Sequence, residues 1–172
     1  MTAKNYLSKL SETENRIRSM ALVHEKLYQS EELSKLDVSN YIKELVANIY
    51  ESYETGVPIE FKYDFDEIKY SIDTLIPIGL IINEIISNAL KYAFQGKDKG
   101  EIYIRFTSKQ SKNQTILEVK DNGIGADIDI EDLKEDSLGL ELIDSLTDQL
   151  DGNFDLSTEF GFHYFFFFPP LK

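Results

Sequence analysis

The chain has no cysteine, which excludes disulfides, thiolate nucleophiles and thiolate metal sites. It is short of positive charge. Only 18 Lys and Arg stand against 31 Asp and Glu, for a formal net charge of -13. That balance disfavours nucleic acid and anionic membrane as partners, because both repel an acidic surface. No uninterrupted apolar run of about 18 residues is visible, so no segment is expected to span a bilayer. The N-terminus is too polar for a signal peptide, which makes a cytoplasmic location the default expectation. Internal repeats and low-complexity tracts are lacking too, apart from Phe165-Phe166-Phe167-Phe168. What remains is 172 residues, enough for one domain with a real core and an appendage.

Hydrophobic periodicity lays out that domain. Leu7, Leu10, Ile17, Met20, Ala21, His24, Leu27 and Tyr28 recur at three- and four-residue steps, which predicts a helix from about Lys4 to Gln29. His24 lies on the apolar stripe and is read as a packed residue rather than a reactive one. A second helix, capped by Asp37 or Ser39, is expected to run to about Tyr53, where Gly56-Val57-Pro58 breaks it. Ile59–Phe65 alternates as a strand. A buried helix capped by Thr74 comes next, with Pro77 in its first turn. Strands are predicted near Glu101–Thr107, Thr115–Lys120, Asn153–Ser157 and Phe162–Phe168, with a helix over Leu138–Leu150. The last strand is apolar on both faces, as a central strand would be. This order predicts an α/β (α+β) two-layer sandwich of a mixed sheet and helices behind a long N-terminal helix. The domain boundary is placed at 36/37, with an appendage over 1–36 and the main domain over 37–172. His163, in the final strand, is read as structural.

Three segments carry chemistry. From Leu75 to Phe94 the chain is apolar almost all round, so that helix should be buried. Into it the sequence inserts Glu84, Asn88 and Lys91, whose spacing puts them on one helix face. Buried polar groups need partners. A carboxylate, a neutral oxygen donor and an ammonium suit Mg²⁺ with phosphate, Asn88 supplying oxygen to the metal and Lys91 reaching phosphate. A solvated stripe at a domain edge is the plainer alternative. The second segment, Asp121-Asn122-Gly123-Ile124-Gly125, closes the alternating strand Ile116–Lys120. Gly123 and Gly125 let backbone approach a flat ligand. An ionised Asp121 accepts hydrogen bonds only, so it suits an exocyclic amine such as adenine N6. The third is Asp136-Ser137-Leu138-Gly139-Leu140, a capped helix start whose N–H groups favour an anion. Between them, Ala126 to Asp136 is acidic and of lid length. An acidic lid repels bare ATP and argues for Mg²⁺ as mediator.

With these residues in view, the chain resembles a two-component histidine kinase. The polar helix is similar to that family's N box, Asp121-x-Gly123-x-Gly125 to its G1 box, and Ser137-Leu138-Gly139-Leu140 to its G2 box. The superfamily also holds gyrase-type, chaperone and mismatch-repair ATPases. The stretch Asn15 to Ser30 resembles the subgroup whose dimerisation module carries an H-H-R-V-K-N-N-L acceptor helix. Two departures stand out. Ser137 occupies a place where the family often has glycine. Gly161-Phe162 stands where it usually has Gly-Thr.

The resemblance implies a Bergerat-type ATP-binding fold and transfer of the ATP γ-phosphoryl group to histidine. By it, the cofactors are ATP and Mg²⁺. Asp121 reads adenine and Asn88 is the metal ligand. Lys91, Gly123, Gly125, Ser137, Leu138, Gly139 and Leu140 border the nucleotide, and Glu84 is the base or water-positioning group. It makes residues 1–36 the second helix of a dimerisation hairpin, so the acceptor histidine is expected to be missing from this chain and His24 not to be it. A response regulator is the implied protein partner, and a homo-oligomer through the N-terminal helix the implied assembly. Two other readings stay open: an anti-sigma-type serine kinase of similar fold, and a nucleotide-binding dimerisation module without turnover.

Overall fold

A computed structural model describes residues 17, 21, 24, 25, 36–109, 113–126 and 137–171. Of the expected N-terminal helix, Ile17, Ala21, His24 and Glu25 are described, and all four are helical and exposed. The packed reading of His24 is therefore corrected within this chain. Among the described residues, the buried apolar core draws on Val38 through Phe168 and does not include Ile17 or Ala21. The rest of that helix lies outside the described residues.

The continuously described segment begins with a two-residue strand that sequence patterning does not reveal. β1 (Leu36–Asp37) pairs antiparallel with β3 (Lys69–Tyr70), Leu36 opposite Tyr70. Asp37 then caps α1 (Val38–Glu51), its carboxylate accepting the Asn40 N–H at 2.9 Å. One face of α1 buries Val38, Tyr41, Ile42, Leu45, Val46 and Ile49, the periodic stripe that makes the helix worth forming. After β2 (Ile59–Phe65) and β3, α2 runs from Ile72 to Asn88.

Three expectations about α2 need correction. Its N-cap is Ser71 rather than Thr74, so the helix starts earlier and Pro77 falls inside it, past the first turn. The proline's missing N–H faces the carbonyl one turn back, that of Asp73, an exposed residue whose carbonyl can turn to water. The helix also does not continue as α to Phe94, because Ala89–Ala93 winds as a single π-turn. Finally, Ile72–Ala93 is long and apolar enough to cross a membrane by length and composition, contrary to the reading of uninterrupted runs. It is the core helix here, with 78% of its most apolar window buried.

The main sheet has five strands in the order β2-β4-β5-β7-β6, adding β4 (Gly100–Lys109), β5 (Gln114–Asp121), β6 (Asn153–Ser157) and β7 (His163–Phe168). β2 and β4 are parallel, joined through α2, and the other pairs are antiparallel. Register puts Phe65, Phe106, Leu117, Phe166 and Phe154 in one row across all five strands. This row lies on the face covered by α1, α2 and α3 (Leu138–Gln149). The adjoining row, Asp64, Arg105, Glu118, Phe165 and Asp155, lies on the other face. Arg105 Nε is 3.3 Å from Asp64 there, and His163 Nε2 is 2.8 Å from Glu118 Oε1. His163 thus hydrogen-bonds to Glu118 on the sheet face away from the helices. β7 lies inside the sheet, as its apolar run implied. Its Tyr164, Phe166 and Phe168 are buried while Phe165 and Phe167 are half-buried. The result is the two-layer α/β sandwich read from the sequence.

Candidate nucleotide site

A cavity of about 240 Å³ opens between α2, the end of β5, the start of α3 and the start of β7. Its helix wall is Ile85, Asn88, Ala89, Tyr92 and Ala93. The π-turn shapes this wall, since a turn of five residues rotates the chain less per residue and re-aims the side chains beyond Asn88. Asp121, Phe162 and Tyr164 form the sheet side, and Ser137 and Leu140 the side of α3.

Asp121 is the most constrained group in the cavity. It is 4% exposed and ends β5. Its carboxylate accepts the Gly123 N–H at 2.8 Å, and its own N–H donates to the Phe162 carbonyl at 3.0 Å. Burial pushes its carboxyl above the ordinary aspartate value, while the N–H groups of Gly123 and Phe162 and the charge of Lys97 pull the other way. A buried carboxylate facing an apolar cavity is a strong acceptor for an N–H donor.

The glycines around it explain why the loop can lie so close. A Cβ on Gly123 would stand 2.5 Å from the Ala93 Cβ and 2.6 Å from Asp121 Oδ1. Gly161, with φ +95°, would place a Cβ 2.2 Å from the Asp121 carbonyl. The Ile124 N–H bonds the Ala93 carbonyl at 2.8 Å, tying the loop to the π-turn. Asn122 faces away, its side chain accepting the Glu101 N–H at 2.8 Å.

On α2 the polar stripe divides. Asn88 lines the cavity, and its Nδ2 donates to Glu84 Oε1 at 3.4 Å. Glu84 lies one turn deeper, only 2% exposed, behind the cavity wall. Lys91 belongs to the π-turn and is not among the lining residues; its ammonium lies 5.8 Å from the Tyr53 ring centroid. At α3, Ser137 Oγ accepts the Leu140 N–H at 3.3 Å and caps the helix. Gly139 is buried behind it and Leu138 is 64% exposed. Of the residues proposed from sequence, then, Asn88, Asp121, Ser137 and Leu140 meet at one cavity. Gly123 packs against two lining residues, Ala93 and Asp121, and Gly125 against the Thr158 carbonyl; Gly125, Gly139, Glu84, Lys91 and Leu138 are not among the lining residues. The expected lid contributes only Ala126, whose N–H bonds the Thr158 carbonyl at 3.2 Å; 127–136 lie outside the described residues.

Sequence reading missed the aromatic and apolar lining. Ile85, Ala89 and Tyr92 share a helix face with Asn88, yet read as core because nothing in the pattern separates a ligand-facing apolar side chain from a packed one. Phe162 departs from the family's Gly-Thr pattern, and its residue type alone points to no role. Tyr164 was hidden in an aromatic run. Its hydroxyl is held well above the ordinary tyrosine range by burial and by the carboxylates of Asp121 and Glu84.

Known proteins resemble this chain in both halves. A family model described as histidine kinase-, DNA gyrase B-, and HSP90-like ATPase matches residues 73–172, and one described as histidine kinase matches residues 1–53. The sensor histidine kinase PdtaS of Mycobacterium tuberculosis is 27% identical over 146 residues, covering 84% of this chain and 28% of that protein. The serine-protein kinase RsbW of Listeria monocytogenes is 28% identical over 95 residues, covering 47% of this chain and 59% of that one. Among solved structures, the histidine kinase domain of the Erythrobacter litoralis EL346 blue-light activated histidine kinase superposes with TM-score 0.75 at 20% identity. That match covers 91% of this chain and 73% of that one. The chain spans little more than a quarter of the curated histidine kinases it matches, 26% and 28% of their lengths.

Proposed function

Because the chain belongs to the histidine kinase-, DNA gyrase B- and HSP90-like ATPase family, we propose that it is the ATP-binding catalytic part of a protein histidine kinase. The observation that carries this reading is the buried Asp121 carboxylate facing a base-sized cavity next to Asn88. Asp121 accepts the adenine amine. Asn88 offers its amide oxygen to Mg²⁺. Among the described residues no group of three or more His, Cys, Asp or Glu could hold a metal. The oxygen donor of Asn88 fits an ion held mainly by phosphate and water, which is the usual habit of Mg²⁺. When bound, Mg²⁺ neutralises phosphate charge and positions the γ-phosphoryl group.

The chain's own groups orient the rest. The first-turn N–H groups of Leu138 and Gly139, at the positive end of α3, attract phosphate oxygens. Lys91 leaves Tyr53 to meet a phosphate. Glu84, which accepts a hydrogen bond from Asn88 at 3.4 Å, is the base or the water-positioning group. Catalysis is then mostly positioning and charge neutralisation. We assign residues 1–36 to a dimerisation segment and 37–172 to the ATP-binding domain, with self-association through the first helix, a response regulator downstream and a cytoplasmic setting.

The serine-kinase reading has the support of RsbW, but that likeness covers less than half of this chain. The histidine kinase model over residues 1–53 favours the first reading. The test is calorimetry with Mg·ADP, followed by incubation with labelled ATP and the histidine-bearing hairpin of a related kinase. Expected are Mg²⁺-dependent binding and an acid-labile, base-stable phosphate on the hairpin. No nucleotide binding overturns the reading. An acid-stable phosphate on serine in a partner protein moves it to the serine-kinase alternative.

A further inference from the structure

The cavity's polar inventory on the sheet side is narrow. Asp121 supplies one carboxylate. The residue tied to its backbone is Phe162, whose C=O accepts the Asp121 N–H at 3.0 Å. The Phe162 ring lines the cavity and stacks on Tyr164, centroids 6.3 Å apart and planes 19° from parallel. Its position relative to Asp121 is fixed from the other side as well. Gly161, at φ +95°, packs directly on the Asp121 carbonyl, so the turn into β7 has no freedom to slide. An aromatic ring is therefore locked beside the amine-reading carboxylate.

We infer that Phe162 is a specificity-determining residue of the base site, selecting 6-aminopurine nucleotides whose neighbouring edge carries no second polar substituent. The inference rests on the nucleotide reading above. A 6-aminopurine that gives its amine to Asp121 presents N1 and then C2 along the same edge. Beside C2–H an apolar ring costs nothing. Beside a 2-amino group it leaves a buried donor unpaired, and an apolar wall discriminates on that ground to a moderate extent. A small hydroxyl residue at this position would leave room for water and a hydrogen bond, and the discrimination would fade. Phe162 acts by exclusion and takes no part in phosphoryl chemistry.

Binding of ADP and of 2-aminoadenosine diphosphate, measured by calorimetry with Mg²⁺ on the whole chain, tests this. The wild type should bind ADP at least about tenfold more tightly than the 2-amino compound. Phe162→Thr should bring the two within about threefold while ADP still binds. Phe162→Leu, apolar but without the ring, should weaken both ligands and keep the discrimination. Should Phe162→Thr fail to fold by circular dichroism, the wild-type ratio and the leucine variant still decide. Equal binding of the two ligands by the wild type overturns the inference, as does an unchanged ratio in a folded Phe162→Thr or a lost ratio in Phe162→Leu. If the wild type binds neither ligand, the nucleotide reading itself has failed. If it binds ADP without discrimination, only the role of Phe162 has.

Discussion

Replacing Asp121 by asparagine changes one atom's chemistry in a site that geometry holds fixed. The side chain keeps its volume. Its single remaining acceptor oxygen is already engaged by the Gly123 N–H at 2.8 Å, so the new amide nitrogen is left facing the base. A donor then meets the exocyclic amine, another donor. The loss is that of a hydrogen bond to a charged group, about 1.5–3 kcal/mol, or roughly 10- to 150-fold in affinity. The free protein should not suffer equally. Burial raises the Asp121 carboxyl above its unfolded value, so the native state binds more protons than the unfolded state just above the ordinary aspartate range. Stability accordingly falls as pH rises through that window. Asparagine removes this cost, and the variant should melt no lower than wild type at pH 7. Calorimetry with Mg·ADP and a thermal melt together make the check. Wild-type affinity in the variant, or lost affinity accompanied by an equal loss of fold, would refute the assignment of Asp121 as the base reader.

Further outcomes are expected elsewhere. Asn88→Ala should abolish the Mg²⁺ dependence of nucleotide binding with an unchanged circular dichroism spectrum; retained dependence removes Asn88 as a ligand. Gly161→Ala forces a Cβ to 2.2 Å from the Asp121 carbonyl at φ +95° and should cost at least about 2 kcal/mol, a fall in melting temperature of roughly 4–8 °C; an unshifted melt would show that the turn can relax. Labelled ATP should leave no phosphate on His24, and His24→Gln should change nothing; a His24 phosphopeptide by mass spectrometry speaks against this. Light scattering across a concentration series should show association that deletion of residues 4–29 abolishes; a monomer at all concentrations counts against that helix as an assembly surface.

Much of this was legible in the residues. Period-2 and period-3.6 patterns carry backbone-scale information, and the strands from Ile59 to Phe168 and the helices at Val38 and Leu138 conform to them within a few residues. The β1–β3 ribbon was not legible, because two residues are too few to show a period. Nor was the π-turn, since Ala89–Ala93 carries no residue type that distinguishes it from α-helix. In the site, polar residues with no reason to be in a core, such as Asn88 and Asp121, announce themselves by cost. Phe162, Tyr164 and Ile85 are apolar or aromatic and look like packing until the cavity in front of them is seen. Lys91 was placed by ideal helix spacing, which the π-turn breaks.

The place of β7 inside the sheet sets an order of events during synthesis. The ribosome delivers β5 and Asp121 some forty residues before Phe162 and Tyr164, as their numbering requires. Until β7 emerges, the Leu117–Val119 side of β5 has no strand to pair with, and the cavity lacks Phe162 and Tyr164 from its wall. Such an unpaired edge is a template for wrong partners. A nascent chain paused before residue 162 should therefore bind no nucleotide and should draw chaperones to the β5 edge. Release of one more strand would both close the sheet and complete the floor of the cavity, making competence to bind and the end of vulnerability the same step.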